Sequence, residues 1–149
     1  MLLPADFREF IELLISEEIK FVMIGGYAYN LYRNPRATGD INFFIECSPL
    51  NEERLRRALE RFGFGSVLPP SSEVLLRAGK VLALGRAPLR IDLITKIDGV
   101  SFEEVYETRN QFELDGLLIP VITIEKLLKN KLAAGRPKDL ADAAELRKP

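Results

Sequence analysis

Apolar positions recur along this chain with two different periods, and the switches between them mark out its elements. Phe7, Phe10, Ile11, Leu13, Leu14 and Ile15 follow a helical spacing that starts near Pro4. Phe21 to Ile24 is a short apolar run that predicts a strand. Gly25-Gly26 ends it, and a helix is expected over Tyr27 to Tyr32, with a loop at Asn34-Pro35. From Asp40 to Glu46 the period changes to two, which places Ile41, Phe43 and Ile45 on one face of a strand. Asn51 to Phe62 predicts a charged amphipathic helix, followed by Gly63 and Gly65 and then a loop at Pro69-Pro70-Ser71-Ser72. Lys80 to Leu84 and Leu89 to Thr95 predict strands joined by a turn near Gly85 to Pro88, and Phe102 to Tyr106 a short helix. Asp115-Gly116, between Gln111 to Leu114 and Leu117 to Val121, is a strong hairpin signal because both residues tolerate positive φ. Thr123 caps a helix that runs to Ala134 and is stopped by Gly135, and Pro137 opens a last helix to about Leu146.

Strands joined partly by hairpins and partly by helices predict a mixed sheet flanked by helices, an α/β (α+β) fold with C-terminal helices. The 149 residues show no repeat, linker or low-complexity stretch, so one domain over 1–149 is expected. Apolar residues make up 47% and charged residues 29%, ordinary for a globular chain. A net charge of -1 gives no global field towards nucleic acid, although a local basic patch remains open. No run approaches the ~20 apolar residues of a membrane span, and the acidic N-terminal pattern of Asp6, Glu9 and Glu12 is unlike a signal peptide. The single Cys fits a reducing cytoplasm.

The absence of histidine changes the picture more than the charge does. It removes Ser-His-Asp and Cys-His catalysis and imidazole metal ligands. A resident metal is then expected to be hard and oxygen-ligated: Mg²⁺, Mn²⁺ or Ca²⁺. One set of residues could hold it. Asp40 and Asn42 are two apart on a strand and share a face, and Asp92 sits inside the apolar run Ile91 to Ile94, where a carboxylate is costly without a partner. If the two strands are neighbours, the three side chains converge and can hold divalent metal for phosphoryl transfer. The alternative for each is structural: Asp40 capping a turn, Asn42 at the surface, Asp92 paired with Arg90 or a lysine. Gly25-Gly26, between a strand and a helix, offers backbone N–H groups to phosphate oxygens or is simply a tight connection.

The run Ile24-Gly25-Gly26-Tyr27-Ala28, then Pro35-Arg36-Ala37-Thr38-Gly39-Asp40-Ile41-Asn42, and later Leu89-Arg90-Ile91-Asp92-Leu93-Ile94, resembles the signature of the polymerase-β-type nucleotidyltransferase superfamily. In that family a glycine turn precedes an Asp-x-Asp pair, and a third acid follows on a later strand. The C-terminal run from Pro120 to Asp142 is similar to that of minimal prokaryotic members, the nucleotidyltransferases of toxin–antitoxin systems, and the resemblance covers residues 20 to 147. It implies a nucleotidyltransferase-like fold and a Mg²⁺- or Mn²⁺-dependent transfer of a nucleoside monophosphate from an NTP to an RNA (tRNA) or protein hydroxyl, with an antitoxin as partner. It implies Asp40, Asn42 and Asp92 as the catalytic and metal-holding set. It places Gly25 and Gly26 at the triphosphate and Lys131 and Asp139 near the nucleotide, and Arg36 and Thr38, in the segment before Asp40, are further nucleotide-binding candidates. Asn42 departs from the pattern, because the family carries an acid there and Asn offers one neutral oxygen. A degenerate member that binds nucleotide or a partner without turnover is therefore the competing reading.

The remaining candidates have readings that compete on equal chemical terms. Lys131 either neutralises NTP phosphates, oriented by Asp139, or is a solvated cation at its helix end while Asp139 stabilises the next helix. Arg33 and Arg36 are open between phosphate contact and structure. Arg54, Arg56, Arg57 and Arg61 are expected on a solvated face, Tyr27, Tyr29 and Tyr32 in helix packing, and Cys47 in packing.

Overall fold

The computed structural model describes residues 2–33, 35–86 and 88–149. Its elements in chain order are α1 (Ala5–Ser16), β1 (Phe21–Ile24), α2 (Gly25–Tyr32), β2 (Asp40–Ile45), α3 (Pro49–Leu59), β3 (Val81–Arg86), β4 (Leu89–Ile94), α4 (Phe102–Glu107), β5 (Asn110–Leu114), β6 (Leu117–Val121), α5 (Ile124–Ala134) and α6 (Pro137–Leu146). The strands form one six-stranded mixed sheet in the order β3-β4-β2-β1-β6-β5. β2 runs parallel to β4, and β1 parallel to β6; the other three pairs are antiparallel. Among the described residues no helix is long and apolar enough to cross a membrane.

Strand alternation divides the core into two layers. Phe43 points to one face, where its ring lies 6.2 Å from that of Phe10 on α1. Phe44 points to the other, with its ring 5.2 Å from that of Phe102 on α4. All four are buried, each contributing about 1.5–3 kcal/mol of transfer free energy.

Local chemistry sets most boundaries. The Ser101 and Glu104 side chains form a reciprocal capping box at α4, Thr123 accepts from the Lys126 amide at the start of α5, and Gly135 ends α5 at φ 67°. Asp115 and Gly116 take φ of 49° and 81° in the β5–β6 turn. Strand β3 runs to Arg86 rather than Leu84, and three helix boundaries differ from expectation by two residues or more. Helix α2 begins at Gly25 itself. Helix α3 begins at Pro49, because Ser48 accepts from the Asn51 amide and Pro fits the first turn. It ends at Leu59 and passes into a wider turn over Glu60–Phe64, with Gly63 at φ 100°. The expected loop at Asn34-Pro35 and the turn between Gly85 and Pro88 include Asn34 and Ala87, which lie outside the described residues.

The arginines of α3 and of the wider turn after it are not merely solvated. Arg56 donates to the Pro69 and Glu73 carbonyls, and Arg57 and Arg61 pair with Glu17, so this helix face ties down a loop and α1. Tyr27 packs edge-on to Phe7, and Tyr32 on Phe112. Cys47 is exposed, its thiol 3.7 Å from the Leu76 carbonyl.

Candidate active site

The parallel register of β2 and β4 pairs Asp40 with Arg90 and Asn42 with Asp92. Because side chains alternate, these four polar residues share one face, while Ile41, Phe43, Ile91 and Leu93 are buried on the other. The structure thus brings Asp40, Asn42 and Asp92 together. It also brings in Arg90, whose signal in the sequence is its position two residues before Asp92. The Arg90 guanidinium donates through Nε to Asp92 Oδ1 at 2.9 Å and through Nη2 to Asp92 Oδ2 at 3.0 Å, and Nη2 lies 3.9 Å from Asp40 Oδ2. Those contacts to Asp92 push the Arg90 guanidinium further up from its ordinary range. The Asp92 side chain is only 9% exposed, against 40% for Asp40.

Gly25 supplies the turn beside this set. Its φ of 70° is left-handed, and a Cβ there would run into the Asn42 side-chain amide, so only glycine lets the first turn of α2 approach β2 this closely. Gly26 faces Thr38, whose hydroxyl donates to the Asp40 carboxylate at 3.2 Å and lies near the Asp40 carbonyl at 3.1 Å. Gly25, Gly26, Thr38 and Asp40 therefore form one continuous corner.

A cleft of about 540 Å³ opens from Gly25 and Asn42 to the C-terminal helices, where Lys131, Arg136 and Asp139 line it together with Lys96 from the segment after β4. Lys131 is buried rather than a solvated helix-end cation, with Nζ 3.1 Å from Asp142 Oδ2 and 3.6 Å from Asp139 Oδ1. Arg36 donates to both oxygens of Asp142 at 2.6 and 2.9 Å and lies 4.4 Å over the Tyr29 ring. Arg136 holds Asp139 through two contacts of 2.6 and 3.2 Å, and its backbone N–H is capped by the same carboxylate. The bond from Arg136 holds the Asp139 carboxyl below the usual carboxylate range despite its burial. Burial pushes Asp142 up, but Arg36 and Lys131 outweigh it and leave its carboxyl lowered as well. Arg33 is committed elsewhere: its guanidinium takes the carbonyls of Glu145, Leu146 and Lys148. Asp142 has a sequence signal that the nucleotide set leaves out, since it lies three residues after Asp139 and so on the same helix face.

The donor set suits a hard cation. Asn42 Oδ1 is buried with no hydrogen-bond partner, an uncommon state for a polar atom and one that a cation would relieve. Asp40, two residues before it on β2, and Asp92, opposite it on β4, add carboxylate oxygens on the same sheet face, the ligand type that Mg²⁺ and Mn²⁺ take. With Asn at position 42, no group of three or more acidic or thiol side chains able to hold a metal exists among the described residues. The residues thus fit a divalent cation, with one carboxylate fewer than a three-acid site.

The sequence matches, over residues 13–148, the family described as nucleotidyl transferase AbiEii toxin, type IV TA system. No match to a curated protein sequence was found. Among solved structures, a proposed nucleotidyltransferase from Thermotoga maritima is similar at a TM-score of 0.62 and 18% identity, covering 95% of this chain and 91% of that one. The antibiotic-resistance factor ANT(2'')-Ia is similar at 0.60 and 11% identity, covering 95% and 80%. The lincosamide antibiotic adenylyltransferase LnuA is similar at 0.59 and 9% identity, covering 99% and 98%. At these identities the likeness is one of fold, a polymerase-β-like mixed sheet with helices.

Proposed function

The chain belongs to the AbiEii nucleotidyltransferase toxin family, and on that premise we propose that it transfers a nucleoside monophosphate from an NTP to a hydroxyl of RNA (tRNA) or protein, with Asp40, Asn42 and Asp92 holding Mg²⁺ or Mn²⁺. In that reaction the bond from the α-phosphorus to the oxygen bridging it to the β-phosphorus breaks, a bond from the acceptor oxygen forms as the hydroxyl proton passes to solvent, and pyrophosphate leaves. The cation would supply charge stabilisation for the phosphoryl oxygens.

The observation that carries the reading is the shared face of Asp40, Asn42 and Asp92 beside the Gly25 turn, with Asn42 and Gly25 on the edge of a cleft that Lys96, Lys131 and Arg136 also line, together with Asp98 and Asp139. The start of α2 offers backbone N–H groups to phosphate oxygens. Lys131 and Arg136 add positive charge on the far wall, with Asp139 fixing their positions. Thr38 orients Asp40, and Arg36 braces Asp142, the carboxylate that also holds Lys131. A toxin role, opposed by an antitoxin in a reducing cytoplasm, accords with the family and the single Cys.

One specific observation favours a second reading. Asn42 removes an acid, and Arg90 already satisfies Asp92. A chain of this kind can hold a nucleotide or a partner without turnover. The two readings part on label transfer: the protein is incubated with each α-labelled NTP, Mg²⁺ or Mn²⁺, and total RNA or protein. Incorporation that disappears in Asp40→Asn and Asp92→Asn supports transferase activity. NTP binding without incorporation under any of these conditions selects the binding-only reading.

A further inference from the structure

A cation already stands on the polar face of β2 and β4. We infer that Arg90 is a built-in counter-ion that occupies the Asp40–Asp92 carboxylate pair and competes with a divalent cation for it. The inference rests on the metal-holding reading of the same site.

Three observations carry it. The guanidinium bonds Asp92 with both prongs, at 2.9 and 3.0 Å, and reaches to 3.9 Å from Asp40, so it bridges the two acids that would otherwise take a metal. Asp92 is 9% exposed and has no other side-chain donor among the described residues, so its charge requires a cation, either this one or a metal. The Arg90 side chain is itself 48% exposed, and among the described residues its head makes no further hydrogen bond. Among the described residues, its swing to solvent breaks only the contacts a metal would replace. Asn42 tilts the contest. Two carboxylates against one guanidinium leave a single net negative charge, where a third acid would have left two and drawn a divalent ion more strongly. Arginine suits this role because it stays charged throughout the accessible pH range and its planar fork matches a carboxylate.

When the binding-competent form is populated about one-tenth of the time, apparent affinity falls roughly tenfold. That sets the size of the expected effect. Mn²⁺ is titrated by calorimetry, and independently by the electron paramagnetic resonance signal of free Mn²⁺, with no nucleotide present. The full chain is compared with Arg90→Met, Arg90→Gln, Asn42→Asp and Asp92→Asn. Removal of the Arg90 charge is expected to tighten Mn²⁺ binding by roughly tenfold in both Arg90 variants, and Asp92→Asn to abolish it. Arg90→Gln keeps a polar group beside Asp92 and serves if Arg90→Met does not fold. A purely structural Arg90 would lower the melting temperature and leave Mn²⁺ affinity unchanged. That result, with Asn42→Asp binding well, overturns the inference alone. If no variant binds Mn²⁺, Asn42→Asp included, the metal-holding reading fails and the inference fails with it.

Discussion

Arg36 and Asp142, 106 residues apart in the chain, meet in a two-pronged ion pair at 2.6 and 2.9 Å. The pair fastens the segment before β2 to the inner face of α6. Because Lys131 reaches the same carboxylate at 3.1 Å, three elements converge on one buried acid whose side chain is 4% exposed. The position of the cleft wall therefore depends on Asp142 rather than on the α5–α6 turn alone.

Asp142→Asn is accordingly expected to cost about 2 kcal/mol at pH 7. This is less than the 3–5 kcal/mol of a fully buried pair, because Arg36 is 36% exposed and partly screened. The pH dependence follows from the lowered carboxyls of Asp139 and Asp142. A folded-state pKa below the unfolded one means that stability is fully present above about pH 4, where the unfolded carboxylate titrates, and is lost as pH falls through the lower folded value. Urea unfolding of both proteins from pH 7 to pH 2.5 checks this: the gap between them should stay constant down to about pH 4 and then close. A gap that closes near neutrality would show that some other group holds this network.

Gly25 and Gly26 are neighbours with different requirements. Gly25→Ala meets both a left-handed backbone and the Asn42 amide, so a loss of about 2–4 kcal/mol is expected. Gly26→Ala meets only the Thr38 hydroxyl, at 3.1 Å, and gains helix propensity in return. Its stability should change by less than about 1 kcal/mol. Thermal denaturation ranks the two, and equal losses would contradict the backbone argument.

Much of the architecture is readable from the chain because its signals are local. The Asp115-Gly116 turn, the Thr123 cap and the Gly135 stop each depend on a few adjacent residues, and each stands where the sequence puts it. The side-chain period of β2 likewise places Asp40 and Asn42 on one face. What the period does not contain is the identity of the neighbouring strand. Only the β2–β4 register sets Asn42 opposite Asp92, and only then does Arg90 become part of the same surface. The burial of Lys131 is equally non-local: a lysine near a helix end reads as solvated until two carboxylates from α6 are seen to meet it. The boundaries of α2 and α3 shift for a smaller reason, since glycine and proline both tolerate the first turn of a helix.

Lys131→Ala tests that burial directly. A solvated lysine could be removed within about 0.5 kcal/mol. Here the change leaves Asp139 and Asp142 facing each other with only their arginines, and a loss of about 2 kcal/mol is expected. Calorimetric titration with NTP–Mg²⁺ adds the functional half: on the proposed role the affinity also falls by more than about 1.5 kcal/mol. Lower stability with unchanged affinity would confine Lys131 to the scaffold.

Asn42→Asp is the substitution with opposite consequences for the metal-free and metal-bound protein. Without metal, it adds a third carboxylate beside Asp40 and Asp92, with Arg90 as the nearest cation. The buried oxygen that lacks a partner in the native chain then carries charge, and a loss of about 1–2 kcal/mol is expected at neutral pH. With Mg²⁺ present the order reverses, since the new ligand binds the cation in the folded state only. At a hundred times the dissociation constant that linkage restores about 2.7 kcal/mol. Melting with and without Mg²⁺ should therefore show a small metal shift for the native chain and a large one for Asn42→Asp. Pyrophosphate release in the presence of NTP and mixed RNA should rise about 10²-fold or more, as the gain of a group that stabilises transition-state charge does elsewhere. A variant that is destabilised, gains nothing from Mg²⁺ and releases no more pyrophosphate than the native chain would show that position 42 lies outside any metal site. The same result would leave Arg90 and Asp92 as an ordinary structural pair.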